Sequence, residues 1–216
     1  MTDPIASRYP LYSADEFRRR ALNQKGGPID LAWRDHGDHL INQDLLPYVE
    51  NIKLRDAAVL VPVIDDGDDA RVILTKRTET LRKHSGQIAF PGGSRDPTDE
   101  SLEMAAIREA GEEIGLADMF IEPVSRLPDY LAATGFRITP ILAVVRPGFT
   151  LTPSPDEVES VFEVPLSFLM DPGNHTLDSR PWNGVQRQFY RMPYEQWMIW
   201  GITAGIIRTI YERMYA

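Results

Sequence analysis

The chain contains no cysteine. That single absence excludes a disulfide scaffold, a thiolate zinc site and a cysteine nucleophile. No stretch approaches the ~18 consecutive apolar residues that suggest a membrane span. The N-terminal MTDPIASRYP has no basic segment followed by an apolar one, so no secretory signal is read there and cytoplasm is the expected location. Positive charge is scarce. The 23 Lys and Arg face 32 Asp and Glu, for a formal net charge of −9, which argues against general nucleic-acid binding. An anionic small molecule remains a reasonable substrate, provided metal ions bridge the two sets of negative charge. The 43% apolar and 25% charged residues suit a soluble globular core, and 216 residues suit one domain with extensions.

Residues 1–50 read as a helical and irregular extension, and residues 51–216 as one domain that includes a C-terminal helix. In the extension, Ser13-Ala14-Asp15-Glu16 has capping-box spacing and predicts a helix to Arg20 or Ala21. Beyond it, AAVLVPVI (57–64) and RVILTKR (71–77) read as strands on either side of the turn DDGDD. Phe90-Pro91-Gly92-Gly93 breaks the chain, and a helix is expected over Glu100–Ile114, stopped by Gly115. Strands are expected near 121–130, 136–145, 161–166 and 185–191, then a terminal helix over Glu195–Tyr211. The mixture is an α+β or α/β/α sandwich pattern.

The expected helix concentrates the chemistry. Glu109, Glu112 and Glu113 share an arc of about 100° on a 3.6-residue helix, while Ile107, Ala110, Gly111 and Ile114 lie opposite. Glu109 and Glu113 repel as an i,i+4 pair by a few tenths of a kcal/mol, and Gly111 costs about 1 kcal/mol relative to alanine. A divalent cation over the glutamates and a close backbone at Gly111 would account for both. Oxygen-only donors favour Mg²⁺ or Mn²⁺ over zinc and point to phosphoryl chemistry. A lone ExxEE is more often a solvated acidic face with Arg108 paired to Glu112. The surroundings of this one reverse that reading.

Arg108-Glu-Ala-Gly-Glu-Glu-Ile-Gly-Leu116 resembles the second half of the Nudix signature, and Glu100 stands seven intervening residues before Arg108, as that signature asks. Gly93 and Glu100 have six residues between them, where the general pattern has five; the longer spacing recurs in the coenzyme A pyrophosphatase branch. Upstream, Ile73–Gly93 resembles that branch's second signature through Leu74-Thr-Lys-Arg77, Arg82, Gly86 and Phe90-Pro-Gly-Gly93, with Thr78 in place of the usual serine or alanine. Asp156-Glu-Val158, Val164-Pro-Leu166 and Trp200–Arg208 extend the likeness, which runs from about 55 to 210.

The resemblance implies a Nudix α/β/α sandwich, a mixed β-sheet flanked by helices, and Mg²⁺ (or Mn²⁺) held by Glu109, Glu113 and Glu112. Arg108 would orient a glutamate. Glu157, on the loop before VFEVPL, is the first candidate for general base or extra ligand, and Glu112 the second; an exposed loop acid is the plainer account of Glu157. The basic cluster Arg82, Lys83 and His84 is expected on the phosphates of coenzyme A, with Ser85, Gly86 and Gln87 shaping the site, and a solvated loop is the alternative. Gly92 and Gly93 are expected to supply a tight turn. His175 reads as a surface residue, and Trp197, Trp200, Ile206 and Ile207 as core.

The implied reaction is hydrolysis of the diphosphate of coenzyme A or a derivative, giving 4′-phosphopantetheine or its acyl form and adenosine 3′,5′-bisphosphate. The rivals are a Nudix hydrolase of another nucleoside diphosphate derivative, such as ADP-ribose or a dinucleotide, and a catalytically silent nucleotide-binding domain. The expected partner is this small molecule, with no nucleic acid and no membrane; a homodimer is compatible with the chain.

Overall fold

The computed structural model describes residues 8–80, 85–182 and 184–216. Helix α1 (Ala14–Leu22) begins where the capping spacing places it: the Ser13 side chain accepts from the Glu16 N–H at 3.3 Å. Its Ala14, Phe17 and Ala21 are buried in the main core, so this part of the extension packs into the domain itself. Two short helices follow, α2 (Asp38–Ile41) and α3 (Leu45–Asn51).

The two apolar runs form β1 (Arg55–Ile64) and β2 (Arg71–Arg77). They join β3 (Ile88–Ala89), β4 (Gly92–Ser94), β5 (Ile121–Arg126), β6 (Tyr130–Ala132), β7 (Phe136–Val145) and β8 (Val158–Pro165) in one sheet. Its order is β3-β2-β1-β7-β5, with β4 also on β1, β6 on β7 and β8 on β2. Strands β1 and β7 run parallel from Arg55 opposite Phe136 to Ile64 opposite Val145, and the other pairings in this sheet are antiparallel. A central pair covered on both faces explains the nearly unbroken apolar run at 57–64. Ala57, Val61 and Val63 enter one core, and Ala58, Leu60 and Ile64 the other.

One face is covered by α4 (Leu102–Ile114), whose Ala105, Ala106, Ala110 and Ile114 are fully buried with Leu60 and Ile141. Ser101 caps α4, accepting from the Met104 N–H at 3.1 Å, so the helix starts two residues later than the sequence suggests. Gly115 ends it at φ +68°, where an added Cβ would stand 3.0 Å from the Thr152 nitrogen. The opposite face carries α1, α5 (Leu166–Met170) and α6 (Ile202–Ile210), which continues as a π-helical turn over Tyr211–Tyr215. The result is the expected α/β/α sandwich. No helix of the described residues is long and apolar enough to cross a membrane.

A second, antiparallel sheet of β9 (Thr176–Trp182), β10 (Val185–Tyr194) and β11 (Trp197–Trp200) corrects the reading of the C-terminal region. Glu195–Tyr211 is not one helix. Glu195 turns at φ 51°, Trp197–Trp200 pairs with β10, and Gly201 at φ +63° separates the strand from α6. The run Trp-Met-Ile-Trp alternates, burying Ile199 and exposing Met198, which is strand periodicity. Trp197 stacks on Phe162 at 4.4 Å, and Ile206 and Ile207 are buried, as expected of core residues. His175 is buried rather than on the surface. Its Nε2 lies 2.7 Å from the Leu169 carbonyl and its ring meets the Tyr211 ring edge-on, and burial lowers its pKa.

Candidate active site

Strand β4 lies between β1 and α4, and its two glycines set how close the helix glutamates come. At Gly92 the backbone has φ +154°, and a Cβ would fall 2.4 Å from the Ala58 carbonyl oxygen and 2.6 Å from the Val59 Cα. At Gly93 a Cβ would fall 2.6 Å from the Glu109 carboxyl carbon. These glycines therefore do more than turn the chain; they admit a carboxylate against the strand.

The three glutamates are not equivalent. The Glu113 side chain is only 2% exposed, whereas Glu109 is 16% and Glu112 61% exposed. The arc of three does not share one environment, because Glu113 lies between β4 and β2. There its Oε2 accepts from the Gly92 N–H at 3.0 Å and its Oε1 from Arg77 Nη1 at 2.9 Å. Burial outweighs both partners and pushes its pKa up to about 7. Burial also raises the Glu109 pKa against the pull of Arg108, with smaller contributions from Glu112 and Glu157. Gly111 differs too: it is exposed, its nearest would-be Cβ contact is Leu116 O at 3.8 Å, and nothing in the structure explains a glycine there.

Arg108 organises the helix face. Its Nη1 reaches Glu112 at 2.9 Å and Glu109 at 3.0 Å. Its Nε and Nη2 both donate to Asp99, each at 3.0 Å. Asp99 is buried, is held by the Asp96 N–H at 2.7 Å, and has its pKa lowered chiefly by Arg108. Glu100, the residue matched to the signature glutamate, is exposed, and its backbone carbonyl accepts from Arg95. Sequence reasoning missed Asp99. The signal was available, since five residues separate Gly93 from Asp99, the general spacing. Arg77 was also missed as a site residue, although the quoted motif contains it.

Glu157 is exposed on the loop that crosses the C-terminal end of α4. That loop is fixed by Thr152 N–H to Ile114 O and Ser154 N–H to Glu113 O, both 2.8 Å, and the Glu157 carbonyl accepts from the Thr78 N–H at 3.0 Å. The Glu157 charge makes a small contribution to the raised Glu109 pKa. Ser85 and Gly86 sit against Glu79 instead of the cavity: the Ser85 hydroxyl is 2.9 Å from a Glu79 carboxylate oxygen, and a Cβ on Gly86 would collide with that carboxylate. Gln87 does border the cavity, which has a volume of about 290 Å³ and is lined also by Arg77, Gly92 and Gly93. Arg82, Lys83 and His84 lie outside the described residues.

The donors fit a hard divalent cation. Two oxygen-only side chains sit where burial disfavours their charged form, so each holds its proton more tightly than usual. Among the described residues no three such groups already converge on one point, and a cation would compete with Arg77 and Arg108 for the glutamate oxygens.

A NUDIX domain family model matches residues 54–183. A Cronobacter sakazakii protein named uncharacterized Nudix hydrolase NudL is 42% identical over 161 residues, covering 74% of this chain and 83% of that one. The protein of the same name from Escherichia coli O7:K1 is 40% identical over 162 residues, with the same coverage. Of solved structures, DR0079 from Deinococcus radiodurans overlays with a TM-score of 0.49 at 14% identity, over 74% of this chain and 86% of that one, too loose a match to assign any residue. On a match to more than half its length and on relatives this similar, the chain belongs to the Nudix family.

Proposed function

We propose that the protein hydrolyses the diphosphate bond of coenzyme A or a derivative, giving 4′-phosphopantetheine or its acyl form and adenosine 3′,5′-bisphosphate. The observation that carries diphosphate hydrolysis is the pair Glu109 and Glu113, held against Gly93 and Gly92, two residues that border the cavity. Glu109 and Glu113, with Glu112 beside them, would hold Mg²⁺ or Mn²⁺, which when bound polarises the phosphate oxygens and offsets charge on the leaving group. Arg108, anchored by Asp99, keeps Glu109 and Glu112 in place. Arg77 and the Gly92 N–H fix the Glu113 carboxylate. Glu157 takes the proton of the attacking water, and Glu112 inherits that role should Glu157 prove silent.

The coenzyme A reading is supported by the stretch that resembles the coenzyme A pyrophosphatase signature. Arg77, Gln87, Phe90, Gly92 and Gly93 from that stretch all border the same cavity. Arg82 and His84 are assigned by this reading to the 3′-phosphate. The test is turnover of coenzyme A, dephospho-coenzyme A, ADP-ribose and a dinucleotide with Mg²⁺ or Mn²⁺. The highest kcat/KM is expected for coenzyme A or an acyl derivative; preference for ADP-ribose or the dinucleotide overturns the assignment.

A further inference from the structure

We propose that the cleft leading away from Gly92 and Gly93 holds the pantetheine arm of the substrate, and that the nucleotide half binds outside it. The inference rests on the coenzyme A reading. The 290 Å³ cavity passes between the sheet and the first turn of α6. A second cavity of about 150 Å³ shares Gln87, Thr134, Trp200 and Ile202 with the first, and prolongs the cleft to Arg180 on β9. Together they form one channel that starts where the scissile diphosphate is assigned.

The inner channel is walled by Val59, Phe90, Phe136, Ile138 and Ile206. Two of its polar groups are already engaged. The buried Thr203 hydroxyl donates to the Ile88 carbonyl at 2.9 Å, and Arg77, the cation at its edge, is on Glu113 at 2.9 Å. Polar character returns at the outer end, where Arg180 lies over the Trp200 ring, 4.4 Å from its centroid, near Asn42 and Gln87.

The two halves of coenzyme A make opposite demands. The nucleotide half carries a phosphate on its ribose, close to the scissile diphosphate. Burying that charge without a cation is strongly unfavourable, and among the described residues the inner channel has none to spare. A base also needs edge hydrogen bonds and an open aromatic face, but Phe136 already has Arg55 over its ring at 4.2 Å. The arm is uncharged and mainly aliphatic, with amides along its length. Its apolar portions gain from the inner walls, and its far polar groups meet Gln87, Thr134 and Arg180.

Thr134 tests the assignment without touching the glutamates. It is exposed in the turn between β6 and β7 and borders both cavities, so Thr134→Trp narrows the channel with no core residue replaced. The measurement is inhibition of coenzyme A hydrolysis by each product, for the wild type, Thr134→Trp and Arg180→Ala. We expect the inhibition constant of 4′-phosphopantetheine to rise about tenfold or more in Thr134→Trp, and that of adenosine 3′,5′-bisphosphate to stay within about twofold. Arg180→Ala should show the same selectivity with a smaller shift. A loss that falls on the bisphosphate, on both products equally, or on neither overturns the inference while leaving the coenzyme A reading intact. A wild-type protein that does not cleave coenzyme A removes that reading, and the inference with it.

Discussion

Asp99 receives Arg108 through two parallel hydrogen bonds, Nε to Oδ1 and Nη2 to Oδ2, each 3.0 Å long. The third arm of the same guanidinium holds Glu109 and Glu112, so a buried aspartate outside α4 orients two glutamates on it. Asp99→Asn is expected to lower kcat/KM by about 10- to 100-fold through loss of this anchor. Glu100→Gln, at the position matched to the signature, should change it less than about twofold. Steady-state kinetics on both variants decide the matter, and equal impairment of the two would contradict the geometry.

This pair also marks where sequence reading stops. The strands β1, β2 and β7, the caps Ser13 and Gly115 and the helix α4 were legible because each depends on local patterning. Asp99 was not, because residue type and the seven-residue spacing to Arg108 both favour Glu100, and only the five-residue spacing from Gly93 favours Asp99. The burial of Glu113 depends on β4 folding back between β1 and α4, a tertiary event that helical angles do not contain. Strand β11 was misread because Trp-Met-Ile-Trp fits either period until β10 offers an edge.

The two glycines of β4 should separate stability from activity. At Gly92 a Cβ meets backbone that cannot retreat, so Gly92→Ala should destabilise the fold by about 1–3 kcal/mol. At Gly93 the obstacle is the movable Glu109 carboxylate, so Gly93→Ala should keep its melting temperature and lose about 10-fold or more in turnover. Thermal unfolding alongside turnover separates the two, and a reversed pattern counts against a carboxylate held at Gly93.

Glu113→Gln should behave differently in its two assays. Turnover should drop about 100-fold or more, because a ligand to the cation is lost. Without metal the variant should be the more stable protein. A carboxylate whose folded pKa is raised to about 7 from the ordinary ~4.3 costs stability as pH climbs through that interval, and the loss is complete above it. At pH 8 in chelator the variant should gain on the order of 1–3 kcal/mol over the wild type, and near pH 4 nothing. Denaturant unfolding at the two pH values provides the check; a variant less stable at pH 8 would mean the Arg77 contact outweighs burial.

Glu157→Gln should depress kcat by about 100-fold and remove the acidic limb of the pH–rate profile, with KM and the magnesium requirement nearly unchanged. A shifted magnesium requirement with the limb intact would make Glu157 a metal ligand. Wild-type behaviour in both would pass the base role to Glu112.

These glutamates, we propose, support metal-dependent attack of water on the diphosphate of coenzyme A. The most direct test is incubation of the purified protein with coenzyme A in ¹⁸O-labelled water, with Mg²⁺ or with chelator, and mass analysis of the products. We expect 4′-phosphopantetheine and adenosine 3′,5′-bisphosphate, one of them carrying a single ¹⁸O, and no cleavage in chelator. Intact coenzyme A in the presence of Mg²⁺, or cleavage that persists undiminished in chelator, would contradict it.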